Sequence, residues 1–205
     1  MTVFITLEGG EGAGKSTQAR RLAAWLAAQG LPVLLTREPG GAPAAEVLRD
    51  LLLGGKVAFH PQTEVLLHFA VRTEHVERTI RPALTAGMWV VCDRFADSTM
   101  VYQGHALGAD RERIAALTGM VGLRPDLTLV LDVPVAVTQA RLAARGGVAD
   151  RYERLGEGFF AAVREGFAAI AAAEPDRCAM IDARPDANTV TDALVAAVQA
   201  RLGVR

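Results

Sequence analysis

The chain of 205 residues is poor in several things at once, and each scarcity removes a class of function. Its two cysteines, Cys92 and Cys178, sit in apolar stretches and form no C-x-x-C pair, so neither a disulfide framework nor a zinc site is expected, only reduced core thiols. No apolar run approaches the roughly 20 residues of a membrane span, and Met1 to Leu7 lacks the basic start and cleavage site of an export signal. A cytoplasmic protein with no membrane partner is the expectation. Charge of either sign is not in excess: 22 Lys and Arg face 23 Asp and Glu, a net −1, which argues against a basic coat for stable nucleic-acid binding. With 51% hydrophobic and 22% charged residues the chain is not disordered either. The only asparagine is Asn188 and the only lysines are Lys15 and Lys56, so the guanine-reading N-K-x-D of switch GTPases is impossible. A motor or DNA-dependent ATPase would bring more chain or a basic surface. The two serines, Ser16 and Ser98, are as informative as the two lysines, because scarce residues that stand in motifs were not put there by abundance.

What is present is an alternation. Val3–Leu7, Pro32–Thr36, Met88–Cys92, Leu127–Leu131 and Cys178–Ile181 are short apolar runs, most of them ended by a carboxylate or a glycine-rich loop. Between them lie helical patterns: Lys15–Gln29 with Ala19, Leu22, Ala23 and Leu26 on one face, a segment from about Ala44 to Gly54-Gly55, the long stretch Gln62–Ala86, and Thr189–Leu202 at the end. Wholly apolar short strands alternating with helices predict an α/β fold, a five-stranded parallel sheet with helices on both faces in three layers. No repeat, linker or low-complexity tail divides residues 1–205, and one domain is expected. Such sheets gather ligands at the carboxyl ends of their strands, where Gly9, Arg37, Asp93 and Asp132 fall.

Gly9-Gly10-Glu11-Gly12-Ala13-Gly14-Lys15-Ser16 fits G-x-x-x-x-G-K-[ST] between a predicted strand and a predicted helix, the context in which the motif cradles phosphates. Glycines let successive N–H groups converge on phosphate oxygens, the helix beginning near Lys15 offers its positive end, and the Lys15 ammonium adds a point charge. Ser16, followed by Thr17, is the expected Mg²⁺ ligand. Asp93, closing an apolar strand, is expected behind that ion, through water.

Around this loop stand Leu7-Glu8-Gly9, Arg37-Glu38-Pro39-Gly40-Gly41, Phe69-Ala70 with Arg72 and His75, and Ile80-Arg81-Pro82-Ala83-Leu84. They are followed by Asp93-Arg94-Phe95, Ser98-Thr99, Tyr102-Gln103-Gly104 and Leu131-Asp132-Val133-Pro134. In order and spacing, from about Val3 to Phe160, the set resembles the thymidylate kinases, P-loop enzymes that move the γ-phosphoryl of ATP onto dTMP. The resemblance implies ATP and dTMP as substrates, Mg²⁺ as cofactor, dTDP and ADP as products, a place in dTTP synthesis, and a homodimer. It implies that Arg37 and Arg94 clamp the dTMP phosphate, that Phe69 stacks on thymine while Arg72 bonds a base carbonyl, and that Glu11 accepts the 3′-hydroxyl. Ser98, Thr99 and Gln103 become polar readers of the base, and Tyr102 packs below the 2′ position of the sugar.

The residues alone leave alternatives. On a helix of about 100° per residue Arg72 lies about 60° from Phe69, at the rim of the stripe Val65, Phe69, Val76, Ile80, so Phe69 could be core and Arg72 a snorkelling rim residue. Arg37 could be a surface arginine and Tyr102 a packing residue. Where the family has threonine after the two glycines this chain has Ala42, and where some members carry a basic residue in the loop it has Glu11 and Ala13. The missing charge is expected from Arg141, Arg145, Arg151 and Arg154 around Gly146-Gly147, in the place of the family's lid at about 141–155, with Arg145 and Arg151 catalytic. In a chain with 20 arginines, Asp150 and Glu153 could equally pair with them on a solvated face. The acceptor phosphate, largely dianionic at neutral pH, needs no general base. His60, His68 and His105 are therefore expected in loops or at the surface, and His75 on a helix face behind the nucleotide pocket. Two other functions remain open: a broader nucleoside monophosphate kinase, and a nucleotide-binding subunit that transfers nothing.

Overall fold

In the computed structural model, which describes residues 2–54, 57–145 and 151–204, the apolar runs become five strands. They are β1 (Phe4–Gly9), β2 (Val33–Arg37), β3 (Trp89–Asp93), β4 (Leu127–Asp132) and β5 (Cys178–Asp182), all parallel, in the order β2-β3-β1-β4-β5. Side chains of a strand alternate between faces, and here both faces are mainly apolar, with Thr6 and Thr128 satisfying each other at 2.8 Å inside one of them. Ile5, Leu7, Val91, Leu127, Leu129 and Leu131 pack on one side with Ala19, Leu22 and Leu26 of α1 (Lys15–Ala28) and Val190, Leu194 and Val198 of a C-terminal helix, Ala187–Leu202. Phe4, Val90 and Cys92 face the other layer, where Val76, Ile80 and Phe95 cover them, and Val130 meets Val163 and Phe167. A sheet apolar on both sides is stable only between two helical layers, which is the three-layer arrangement expected. Both cysteines are free and buried.

The remaining elements carry the site. Helix α2 (Pro43–Leu53) starts with proline in its first turn. Helix α3 (Pro61–His75) is capped by His60, whose ring accepts from the Gln62 N–H. It runs through a π-turn, Val76–Ile80, into α4 (Arg81–Thr85), so the long helical pattern is one rod with a widened turn. After β3 a short helix, α5 (Ala96–Thr99), passes into a second π-turn, Met100–Ala106. Such widened turns are frequent at functional sites, and this one carries Tyr102 and Gln103. Then follow α6 (Arg111–Val121), α7 (Val135–Arg145), α8 (Glu157–Ala173) and the C-terminal helix α9. The Ala96–Ala106 segment and α6 are helical beyond the patterns expected from the sequence. Gly146, Gly147 and Asp150 lie outside the described residues. Among those described, no helix is long and apolar enough to cross a membrane.

Candidate active site

The carboxyl ends of the strands open on a cavity of about 500 Å³. Lys15, Arg37, Arg49, Arg72, Arg94, Arg141 and Arg145 line it against three carboxylates, Glu11, Glu38 and Asp93. A cavity so unevenly charged suits a strongly anionic ligand.

On one side is the phosphate loop. Gly9 has φ 136°, and a Cβ there would lie 2.5 Å from the Leu131 carbonyl oxygen, so β4 forces glycine at the exit of β1. Gly14, with φ 90°, caps α1 and turns its N-terminus into the cavity. The Lys15 ammonium is buried and donates to the Gly10 carbonyl at 2.6 Å. Burial, and then the Arg94 charge, push it down to about 8, although Glu11, Asp93 and Glu8 pull it up. Ser16 Oγ donates to Asp93 Oδ2 at 2.5 Å, and Asp93 Oδ1 is buried without a partner among the described residues. An orphaned carboxylate oxygen in a phosphate-binding cavity, beside the P-loop hydroxyl, fits a hydrated magnesium ion. Among the described residues no group of three or more His, Cys, Asp or Glu forms a metal cage, so the ion's other ligands would be phosphate and water oxygens.

Arg94 follows β3 with φ 69°, a left-handed conformation rare for a side chain of this size. Its Nη2 donates to Glu11 Oε1 at 2.5 Å, and Nη1 reaches the Gly9 carbonyl and Ser98 Oγ, both at 3.3 Å. The Tyr102 hydroxyl donates to the same Glu11 oxygen at 2.9 Å, with Arg94 lying 4.8 Å over its ring. Burial would raise the Glu11 carboxyl, but Arg94 and Lys15 hold it down to about 2. The loop carboxylate thus positions a guanidinium rather than repelling phosphate. Arg37 is half exposed, held by Glu46 Oε2 at 2.9 Å, while Glu46 Oε1 accepts from the Gly41 N–H at 2.8 Å. Thr79 Oγ1 donates to the Gly41 carbonyl at 2.7 Å. Glu46 and Thr79 therefore fasten the loop beside Ala42, where the expected threonine is missing.

The other side of the cavity is read from α3. Arg72 is 2% exposed, which excludes the snorkelling alternative. Its Nε donates to Glu38 Oε2 at 2.8 Å, and Nη2 to the Phe95 carbonyl at 3.1 Å and Thr99 Oγ1 at 3.0 Å. Nη1 is buried and has no hydrogen-bond partner among the described residues, a spare donor in a side chain that lines the cavity. The remaining oxygen of Glu38 meets His75 Nδ1 at 3.1 Å, and His75 Nε2 meets Thr36 Oγ1 at 2.7 Å. Phe69 sits in a core cluster with Val65, Ala109 and Ile114 and is not among the cavity-lining residues; Arg72 lies 4.8 Å over its ring. Its ring is therefore taken up by core and by Arg72, which departs from the expected free stacking face. Ser98 and Thr99 are likewise engaged by Glu8, Arg94 and Arg72, and steady the arginines.

Several placements differ from expectation. His68 lines the cavity instead of lying in a loop or at the surface, because Glu64, His68, Arg72 and His75 form a polar row along α3 that faces inward. Burial, then Arg72, hold its ring down to about 4, so it is neutral. Arg145 lines the cavity, with Nη2 2.5 Å from Glu153. Arg151 does not line it: the buried Glu64 carboxylate draws it away, at 2.6 Å. Asp132 is occupied by two hydrogen bonds from Arg164, at 2.6 and 2.9 Å, and lies outside the cavity. Arg49, which lines the cavity and donates to the Pro39 carbonyl, escapes the sequence reading. Its signal was available: on α2 it stands between Ala45 and Leu52, both buried, where an arginine needs a partner.

Comparison with known proteins agrees with this geometry. The family profile of thymidylate kinases matches residues 7–194. The chain is 52% identical to the thymidylate kinase of Gluconobacter oxydans over 99% of its own length and 97% of that protein. It is 52% identical to that of Caulobacter vibrioides over 98% of each. The crystal structure of thymidylate kinase from Ehrlichia chaffeensis superposes with a TM-score of 0.79 at 35% identity, covering 97% of this chain and 98% of that one. With a phosphate loop, a row of cavity arginines and near full-length matches in agreement, the chain belongs to the thymidylate kinase family.

Proposed function

We propose that this kinase transfers the γ-phosphoryl of ATP to dTMP with Lys15, Arg94 and Arg145 as its catalytic cations. The observation that carries the reading is the pairing, in one cavity, of the phosphate loop with the spare Arg72 Nη1 donor. The triphosphate of ATP lies on the N–H groups from Gly9 to Thr17 with Lys15 at the transferring end. Arg94, Arg37 and Arg49 hold the dTMP phosphate, Glu11 takes the sugar hydroxyl, and Arg72 and Gln103 face the base. Tyr102 closes the sugar side. Asp93 and Ser16 would hold Mg²⁺, which screens the phosphate charge when bound. An oxygen of the dTMP phosphate bonds to the γ-phosphorus as the bond from that phosphorus to the bridging oxygen breaks, and the electron pair leaves with ADP. No proton must be removed from the nucleophile, so the protein supplies alignment and positive charge.

A single catalytic domain in the cytoplasm, working as a homodimer, completes this reading; the exposed apolar Val47, Leu51 and Leu66 on the adjacent helices α2 and α3 are compatible with it. Release of ADP from ATP and Mg²⁺ only when dTMP is added is the expected result. ATP binding without dTMP-dependent ADP release would mean a nucleotide-binding subunit instead.

A further inference from the structure

Both amide protons of Gln103 are committed inside the protein. Nε2 donates to Glu64 Oε1 and to the Tyr152 hydroxyl oxygen, each at 2.9 Å, and the Tyr152 hydroxyl donates to the same Glu64 oxygen at 2.9 Å. Glu64 Oε2 pairs with Arg151 at 2.6 Å, and the Glu64 side chain is 2% exposed. A carboxylate only accepts, so the end of the amide facing Glu64 must be NH2. His68 Nε2 lies 3.5 Å from the Tyr152 hydroxyl, farther than Glu64 Oε1 at 2.9 Å, so the phenol proton goes to Glu64 and the Tyr152 oxygen is the acceptor for the second amide proton. Burial and the Glu64 charge push the Tyr152 phenol well up, so it keeps that proton. A half-turn of the Gln103 amide would set its carbonyl against two oxygens at once, one of them charged. The triangle therefore fixes which end of the amide is left for the cavity that Gln103 lines.

That end is the carbonyl, an acceptor. Arg72, which lines the same cavity, has in Nη1 a donor with no acceptor among the described residues. A donor and an acceptor together match the carbonyl and N–H of a pyrimidine imide, whereas cytosine offers an amine and a ring lone pair and would meet both groups wrongly. We propose that Tyr152 is a positioning residue for base choice: its hydroxyl, with Glu64, locks the Gln103 amide so that an imide base is accepted and cytosine is refused. The proposal rests on the dTMP reading above. Tyr152 follows α7, Glu64 lies on α3 and Gln103 in the π-turn after α5, so the three groups meet only in the folded chain.

Tyr152→Phe tests it, because the ring keeps its packing against Tyr102 and Phe159 while the oxygen is lost. An unpaired polar group at a recognition site sets the scale: KM for dTMP should rise about tenfold, with kcat and KM for ATP within about twofold of wild type. The ratio of kcat/KM for dTMP to that for dCMP should fall by about tenfold or more. An unchanged ratio overturns the proposal, whether the other constants stay fixed or worsen together with thermal stability, since a structural role lowers both acceptors alike. Glu64→Gln, nearly isosteric, gives the Gln103 carbonyl a donor to face and should lower the same ratio; it also serves if Tyr152→Phe fails to fold. A wild-type enzyme without preference for dTMP over dCMP would overturn the dTMP reading itself, and this proposal with it.

Discussion

The Arg72 guanidinium and the Glu38 carboxylate form an ion pair closed off from water, Nε to Oε2 at 2.8 Å, with the two side chains 2% and 3% exposed. Removing Arg72 leaves the buried Glu38 with only His75 beside it, and breaking such a pair costs about 3–5 kcal/mol. Arg72→Ala should therefore lower the unfolding free energy by about that amount and also raise KM for dTMP. Denaturant unfolding and steady-state kinetics check the two effects together. Full stability with a raised KM would mean that His75 alone satisfies Glu38.

The two candidate lid arginines should behave differently. Arg145 lines the cavity, and Arg145→Ala should lower kcat by orders of magnitude, as loss of an arginine that meets transition-state charge does, with a smaller loss of stability because its partner Glu153 is buried while Arg145 itself is more than half exposed. Arg151→Ala should leave kcat within several-fold and cost stability instead. Because Arg151 is 30% exposed, solvent screening reduces the loss to about 1–3 kcal/mol, below that of a fully buried pair. Equal kinetic damage in both variants would contradict this division.

Glu8 gives the stability a pH dependence of known sign. It is buried, accepting from the Phe95 N–H at 2.7 Å and Ser98 Oγ at 2.6 Å. Burial, then Asp97, raise its carboxyl from the ordinary 4.5 to about 8, against Ser98, Arg94 and the Phe95 N–H. Between those values the folded state holds a proton that the unfolded chain has released. Its contribution is present below about 4.5 and is lost as pH rises through about 8. Relative to Glu8→Gln, which cannot ionise, the wild-type melting temperature should fall between pH 6 and 8, read by calorimetry. Parallel curves would show that Glu8 is already ionised at pH 6.

Most of the frame was legible because apolar runs and glycine punctuation follow directly from two-sided burial, and the phosphate loop because its chemistry needs contiguous residues. Arg72 was legible as an arginine beside an apolar stripe. What escaped depends on partners far away in the chain. Glu64 and His68 recur with Arg72 and His75 along α3, yet nothing local says that this polar row faces inward, since the groups that satisfy it, Glu38, Gln103 and Tyr152, come from three other segments. The same holds for Arg151, whose partner stands 87 residues earlier, and for Phe69, where spacing alone does not separate a stacking face from core.

Lys15 separates catalysis from stability. Its ammonium, pushed down to about 8 by burial and Arg94, is held less well in the folded state than in the unfolded one at neutral pH, so its charge is a cost to the fold. Lys15→Met should leave the melting temperature unchanged or higher while kcat falls by orders of magnitude. A marked loss of melting temperature would mean that the contact with the Gly10 carbonyl holds the loop together.

The most direct test of the account is a panel of acceptors, dTMP, dUMP, dCMP, AMP and GMP, each assayed with ATP and Mg²⁺ for kcat/KM. The geometry predicts that dTMP leads, that dUMP follows within the roughly 1–3 kcal/mol that one methyl group is worth, and that dCMP and the purine nucleotides fall far behind. Turnover of dCMP, AMP or GMP equal to or greater than that of dTMP would contradict it.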